Sequence, residues 1–344
     1  MKQFGTCIVL YFLILVAPCL IWHGSVCTGF FRNFFKARGV VKGAVLLATP
    51  CFMGCKDVMK EHLLSQREEV RELCVMTSIV HSHDACISGS ILKLASQKWL
   101  RPAGKERWEF TSNMNFSLEE KDRVLNLFDS LGFIRKQQPQ RSQYTYVCVL
   151  SGIVPRMDAR LQYLVTLWKQ GIRWEHIVFL SGDRLLDERV DHVGNSSIVG
   201  AKNEAEALAM LWDGMQREEK IPRELQQIPI TRITAKSIVG EQGTIQRPTT
   251  QDTIHQLLQE TGTVENASYL FISSQPFVPY QLRVVRHTFK DQRNVYEVVG
   301  GEYEAAGCGE GLIGILFDSL GRSLYFEDKL YGIFSEKPSE KDTV

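Results

Sequence analysis

Four short segments of this sequence are rich in serine, threonine and glycine, which are residue types that can hold an anion. The segments are 151–156 (SGIVPR), 181–184 (SGDR), 247–253 (RPTTQDT) and 273–276 (SSQP). Backbone N–H groups at a helix start, together with Ser and Thr hydroxyls, bind anionic groups. Arg156 and Arg160, one helical turn apart, add positive charge. These segments predict a site for a small anionic ligand, provided that the fold brings them together.

The same residue types also suit ordinary strand-to-helix turns. Ser, Thr, Gly and Asp cap helices and tolerate tight turns. In the third segment, either Thr249 or Thr250 is expected to be the N-cap of the following helix. For any single segment, capping is therefore the simpler interpretation, and the site hypothesis depends on all four segments meeting at one edge.

The part of the chain from residue 144 onward predicts alternating strands and helices. Strands are predicted at 144–151, 177–181, 228–234, 269–274 and 295–300, and helices at 156–170, 204–216, 250–260, 279–289 and about 311–324. Strands separated by helices of roughly 10–15 residues indicate right-handed crossovers and a parallel sheet covered on both faces. We therefore predict an α/β fold: a three-layer Rossmann-like domain at 144–330 with a mainly parallel, five-stranded sheet. Ligands bind beyond the carboxyl ends of such strands, where all four segments fall.

The preceding region, 28–136, is predicted to be mainly helical. Ser117 is a good N-cap and Glu120 completes a capping box, while Gly132 ends that helix. The polar stretch 137–143 (QQPQRSQ) is the predicted domain boundary.

The N-terminus contains an apolar run from Phe4 to Trp22, preceded by Lys2. Such a run is typical of a signal peptide or a membrane anchor, which we assign to 1–27; a buried core helix is the alternative. From residue 23 to Lys56 the chain has basic but no acidic residues. A retained anchor would then keep its C-terminal side in the cytoplasm, whereas a cleaved signal would export the chain. We expect a membrane-anchored or exported protein and leave its orientation open.

Composition excludes several classes of protein. The 344 residues are 44% hydrophobic and 23% charged, which excludes a disordered chain and a multi-span membrane protein. The 40 basic and 39 acidic residues give a net charge of +1, so no nucleic-acid partner is expected. Nine irregularly spaced cysteines match neither a disulfide framework nor a compact zinc pattern, and we predict no metal site. The sequence identifies no cofactor.

The edge segments also follow a collinear pattern. It runs from a strand ending in glycine and a helix with an arginine to a strand ending in Ser-Gly and an acidic helix. A Thr-x-acid-polar motif and a Ser-Gln pair complete it. The matching residues are Gly152, Arg160, Ser181, Gly182, Glu206 (with Glu204 as the alternative), Thr250, Asp252, Thr253, Ser274 and Gln275. Over 144–300 this pattern resembles the SanA/ElyC/YdcF-like family of bacterial envelope-associated proteins.

The resemblance implies a membrane-associated protein that binds a small anionic or nucleotide-like ligand and acts in cell-envelope biogenesis. In this hypothesis hydroxyl and N–H groups hold the anion, Arg160 balances its charge, and Asp252 takes a sugar hydroxyl or a cation. The chain departs from the family at Val278 and Gln281, where members often carry histidine and arginine.

Two alternative functions follow from the same residues. The first is a hydrolase or transferase acting on a phosphorylated or lipid-linked envelope substrate, with Asp252 or Glu206 as general base. The missing histidine counts against it. The second is a non-catalytic scaffold whose N-terminal helices recruit a partner, which predicts a large exposed apolar patch on 57–131.

Overall fold

The computed structural model describes residues 63–81, 88–101, 116–191, 198–239, 245–262, 266–289, 294–302 and 311–335. All of them belong to one compact unit, 63–344. The predicted anchor or signal segment, 1–27, lies outside the described residues, as does 28–62 of the predicted helical region. Among the residues described, no helix has the length and apolar character needed to cross a membrane.

The centre of the molecule is a five-stranded sheet in which every neighbouring pair of strands is parallel. In chain order the strands are β1 (Gln143–Leu150), β2 (Arg173–Gly182), β3 (Ile230–Ala235), β4 (Ile238–Val239), β5 (Ile245–Gln246), β6 (Ser268–Ser274) and β7 (Val295–Gly301). The sheet has the order β3-β2-β1-β6-β7, while β4 and β5 form a small antiparallel ribbon. This confirms the predicted Rossmann-like α/β fold. The first strand, β1, lies in the middle of the sheet. The chain adds β2 and β3 on one side of it and then crosses over to add β6 and β7 on the other, which places a topological switch point between β1 and β6.

Helices cover both faces of the sheet. They are α4 (Val154–Lys169), α5 (Glu188–Asp191), α6 (Glu204–Arg217), α7 (Arg223–Gln226), α8 (Thr250–Thr261) and α9 (Val278–Thr288). Successive side chains of a strand point to opposite faces, so Val147 and Val149 pack with α4 and α6, whereas Cys148 and Leu150 pack with α8 and α9. Burial on both faces explains why the strands appear in the sequence as nearly continuous apolar runs.

The remaining helices form a third apolar core. They are α1 (Glu68–Met76), α2 (Gly89–Trp99), α3 (Leu118–Ser130) and α10 (Gly311–Tyr331). A 3-10 turn at Leu64–Gln66, before α1, contributes Leu64 to the same core. The Trp99 and Phe128 rings each lie 5.2 Å from the ring of Phe317 on α10. The predicted capping box between Ser117 and Glu120 is present at the start of α3. The last helix therefore shares its core with the helices that precede the sheet, and it also packs against α9.

The end of β7 passes close to the start of α9 and allows a sharp test of packing. A Cβ at Gly300 would lie 2.7 Å from Val278 Cγ2 and 3.0 Å from Ser274 Cα, whereas one at Gly301 would meet nothing within 4 Å. We expect Gly300→Ala to lower the free energy of unfolding by about 1–3 kcal/mol because it overpacks this contact. The matched variant Gly301→Ala should change it by less than about 0.5 kcal/mol. Urea denaturation measures both, and equal effects would contradict the packing described here.

Candidate functional site

The carboxyl ends of β1 and β6 lie side by side at the topological switch point. Val149 is paired in register with Ile272, and the chain continues from β1 into Ser151 and Gly152 and from β6 into Gln275. In open α/β sheets this crevice is where ligands bind. The first and fourth predicted segments therefore meet at the expected place.

Arg160 of α4 spans this crevice. It is only 3% exposed. Its Nη1 donates to the carbonyl oxygens of Leu150 (2.7 Å) and Ser151 (2.6 Å), and its Nη2 donates to Ser274 Oγ (3.1 Å). Side chains of a helix lean toward its N-terminus, which directs Arg160 back to the end of β1. A Cβ built at Gly152 would lie 3.5 Å from Nη1, so this loop residue lies against the guanidinium. A fixed positive charge thus lies between the ends of the two strands.

The β2 side of the edge holds a network of buried charges. Ser151 Oγ donates to Glu204 Oε2 at 2.7 Å, and Arg184 Nε donates to the other oxygen of Glu204. The same guanidinium donates to both carboxylate oxygens of Asp191, at 2.9 and 3.0 Å. Both acids are buried, and Asp191 is fully so. Two buried carboxylates therefore share one guanidinium next to the β1–α4 turn.

The carboxylate of Asp191, a residue of α5, also binds the backbone at the start of α4. It accepts hydrogen bonds from the backbone N–H groups of Val154 (3.0 Å) and Asp187 (2.8 Å). Burial alone would raise the pKa of Asp191, but the hydrogen bonds from Arg184, Asp187 and Val154 together lower it below its usual value. A first-turn N–H group that was expected to face a ligand is thus bound to the chain's own carboxylate.

The third segment caps α8. Of the two N-cap alternatives the structure has Thr249, whose N–H and Oγ1 each lie 2.7 Å from Asp252 Oδ2 in a capping box. Thr250 is the first helical residue, and its carbonyl accepts a hydrogen bond from the Thr253 hydroxyl at 2.9 Å. A Cβ at Gly182 would lie 2.8 Å from Pro248 Cγ, so this segment lies against the end of β2. The structure thus gives Asp252 and Thr253 local hydrogen bonds at the start of α8.

The residues that end β2 face β3. Ser181 is buried, and its Oγ donates to the carbonyl oxygen of Ile233 at 3.2 Å. Asp183 follows, and its two carboxylate oxygens accept from the N–H of Ser237 at 2.9 and 3.0 Å. These contacts join the ends of β2 and β3.

Burial distinguishes the two candidate acids of α6, Glu206 and Glu204. Glu206 is exposed, and its carboxylate accepts from the N–H of Lys202 (2.8 Å) at the helix start. Glu204 reaches the sheet edge instead. The sequence shows Glu204 directly after the N-cap Asn203, but it does not show which of the two carboxylates turns inward.

Gln275 directly follows β6 and connects the sheet edge to the chain that follows α3. It is buried, and its Nε2 donates to the carbonyl oxygens of Gly132 (3.0 Å) and Arg135 (2.7 Å). The fourth segment thus divides its tasks: Ser274 contacts Arg160, and Gln275 holds the chain that follows α3.

The described residues contain no group of three or more His, Cys, Asp or Glu side chains that could hold a metal ion. Cys74 and Cys148 are buried free thiols, and burial raises the pKa of Cys74 to about 12. Most of the cysteines lie outside the described residues.

The network of Arg184, Asp191 and Glu204 was not assigned from the sequence. Arg184 follows the Ser-Gly-Asp end of a strand, Asp191 belongs to an acidic loop, and Glu204 was named only as the alternative to Glu206. Comparisons of the chain with protein-family models, curated proteins and solved structures found no match.

Proposed function

We propose that this chain is a YdcF-like protein that binds a small anionic ligand at the crevice between the ends of β1 and β6. The observation that carries the proposal is the position of Arg160. Its guanidinium is buried, and three of its hydrogen bonds go to neutral oxygen atoms of Leu150, Ser151 and Ser274. A positive charge in a poorly solvated place attracts an anion more strongly than one in water.

In this proposal the ligand contacts Arg160, Ser274 and the loop at Ser151 and Gly152. The other predicted site residues are not proposed to contact the ligand. They are Ser181, Gly182, Glu206, Thr250, Asp252, Thr253 and Gln275.

The ligand is proposed to be a compact anion and not a dinucleotide. Dinucleotide-binding domains place the pyrophosphate at the first helix after β1. In this chain the Asp191 carboxylate already accepts the N–H of Val154 at that helix start. A second anion there would meet the negative charge of Asp191.

Binding is favoured over catalysis by the two positions that depart from the family. Val278 and Gln281 are both buried, and Gln281 accepts a hydrogen bond from the Ser273 hydroxyl. Asp252 and Glu206, the acids considered as general bases, are used in helix capping. The scaffold alternative predicts a large exposed apolar patch on 57–131. In the described part of this range, the large apolar side chains that are exposed are Leu94 and Leu118.

The proposed place of action is the bacterial cell envelope, with residues 1–27 as membrane anchor or export signal. This part of the proposal is supported by the apolar N-terminal run and by the resemblance.

Titration of the purified full chain with inorganic phosphate in a calorimeter tests the proposal. We expect wild type to bind and Arg160→Met to bind at least about tenfold more weakly, because a hydrogen bond from a charged group is worth about 1.5–3 kcal/mol. Ser274→Ala, which keeps the arginine, should weaken binding by about three- to tenfold. Arg217→Met, at an exposed arginine of α6, is the charge control and should bind as wild type does.

Circular dichroism of each variant checks that it is folded. The proposal fails if wild type does not bind phosphate or its esters, or if folded Arg160→Met and Ser274→Ala both bind as wild type does.

A further inference from the structure

The hydroxyl of Ser274, at the end of β6, retains its capacity to donate a hydrogen bond. Its oxygen accepts from Arg160 Nη2 at 3.1 Å, and an arginine can only donate. Within the described part of the chain, the Ser274 hydroxyl donates to no protein acceptor, and the residue is partly exposed. Its proton is therefore available to an acceptor atom of a ligand, such as a phosphate oxygen.

The hydroxyl of Ser151 has the opposite polarity. It donates to Glu204 Oε2 at 2.7 Å, and an ionised carboxylate can only accept. Arg184, which also donates to Glu204, holds this carboxylate in place. The proton of Ser151 is thus committed, and its lone pairs can only accept a hydrogen bond from a donor on the ligand.

The charges along the edge follow the same division. Arg160 lies between the ends of β1 and β6, and Arg156 adds a second positive charge on the β6 side, with its guanidinium 4.4 Å from the centre of the Phe277 ring. Glu204 and Asp191 lie at the β2 side. An anionic group is therefore favoured beside Ser274 and disfavoured beside the Ser151 hydroxyl, which contacts the Glu204 carboxylate; a hydrogen-bond donor is favoured there instead.

From this polarity we infer that the ligand is a phosphate ester of a polyol, with a hydroxyl donor next to its anionic group. The inference rests on the proposed function and names the ligand class of that same site. The phosphate accepts from Ser274 beside Arg160, and the neighbouring hydroxyl donates to Ser151. Adjacent strands lie about 4.8 Å apart, so one small molecule can reach both Ser274 at the end of β6 and Ser151 at the end of β1.

Two matched probes test this assignment on the full chain: glycerol 3-phosphate, which has the hydroxyl donors, and n-propyl phosphate, which lacks them. We expect wild type to bind glycerol 3-phosphate about three- to tenfold more tightly, the value of one hydrogen bond. Ser151→Ala should remove this preference, measured as the ratio of the affinities for the two probes. Ser274→Ala should weaken both probes by the same factor and keep the preference.

Each other outcome counts against a defined part of the argument. If wild type binds both probes equally, or if Ser151→Ala weakens both alike, the polyol assignment is wrong while anion binding at Arg160 stands. If phosphoethanolamine binds more tightly than glycerol 3-phosphate, the ligand is a phosphorylated amine and the polyol assignment is also wrong. If no phosphate ester binds, both the assignment and the proposed function fail.

Discussion

Replacing Arg184 with methionine is expected to lower the free energy of unfolding by about 3–5 kcal/mol at neutral pH, the usual cost of breaking a buried ion pair. Methionine keeps most of the length of the side chain but removes the charge and every hydrogen bond that the guanidinium donates. Asp191 and Glu204 would then remain buried with no guanidinium between them. Urea denaturation at about pH 7 measures the loss.

The effect of this substitution should depend on pH in a defined direction. In wild type the folded-state pKa of Asp191 is lowered, so the carboxylate stabilises the fold above its unfolded pKa of about 3.9. That stability is lost as pH falls through the lower, folded value. Without Arg184 its hydrogen bond and its charge no longer lower the folded pKa of Asp191, so the carboxylate contributes less stability above its unfolded pKa than in wild type. The difference in unfolding free energy between wild type and Arg184→Met should therefore narrow toward about pH 4.

Arg189→Met is the matched control for this experiment. Its guanidinium pairs with Asp187 at 2.6 Å on the surface, and about two thirds of its side chain is exposed (63%). Exposed ion pairs contribute about 0–1 kcal/mol, so we expect a loss in this range and a weak dependence on pH. Equal losses for the two variants would show that the network of Arg184, Asp191 and Glu204 does not stabilise the edge as described.

The second large effect is expected at Glu327 of α10, which is only 1% exposed. Its carboxylate accepts from the N–H groups of Leu64 (2.9 Å) and Ser65 (3.2 Å) and from Arg283 Nε (2.8 Å). It thereby joins the 3-10 turn at Leu64–Gln66 to α9. We expect Glu327→Gln to lower the free energy of unfolding by about 3–5 kcal/mol, because the mostly buried Arg283 loses its carboxylate.

Glu119→Gln, at an exposed position of α3, is the control for the same chemical change and should alter stability by less than about 0.5 kcal/mol. Urea denaturation at about pH 7 compares the two variants. A loss below about 1 kcal/mol for Glu327→Gln would mean that this contact does not hold the 3-10 turn and α9 to α10.

The fold could be predicted from the sequence because its elements are written in local patterns. The strand predicted at 269–274 is observed as Ser268–Ser274, since buried parallel strands are continuous apolar runs bounded by turn residues. The start of β2 was missed: the strand was predicted to begin at residue 177, whereas it begins at Arg173, and His176 lies in the part that was missed. It belongs to the strand, where it pairs with Tyr146 of β1 and their rings stack at 5.3 Å. Pairing with a distant strand overrides such a polar local composition.

The candidate site was predicted less completely. The expectation that polar residues gather at the carboxyl edge needed only that the strands be parallel, and Arg160 lies there with Ser274. The sequence could not show whether Thr250 and Asp252 cap the helix or contact a ligand, because the same residue types serve both purposes. The structure has a capping box formed by Thr249 and Asp252.

By itself the sequence determined the kind and order of the five sheet strands and of the longer helices of the α/β domain, because hydrophobic periodicity and helix caps depend on neighbours within a few residues. The ribbon of β4 and β5 and the short helices α5 and α7 were not predicted. Only the tertiary structure decided which polar side chains meet. Asp191 reaches the start of α4 and Glu204 reaches Ser151 across separations of 37 and 53 residues, and no local pattern encodes contacts over such distances. A carboxylate that is buried needs hydrogen-bond and charge partners, and Arg184 supplies them for Asp191 and Glu204.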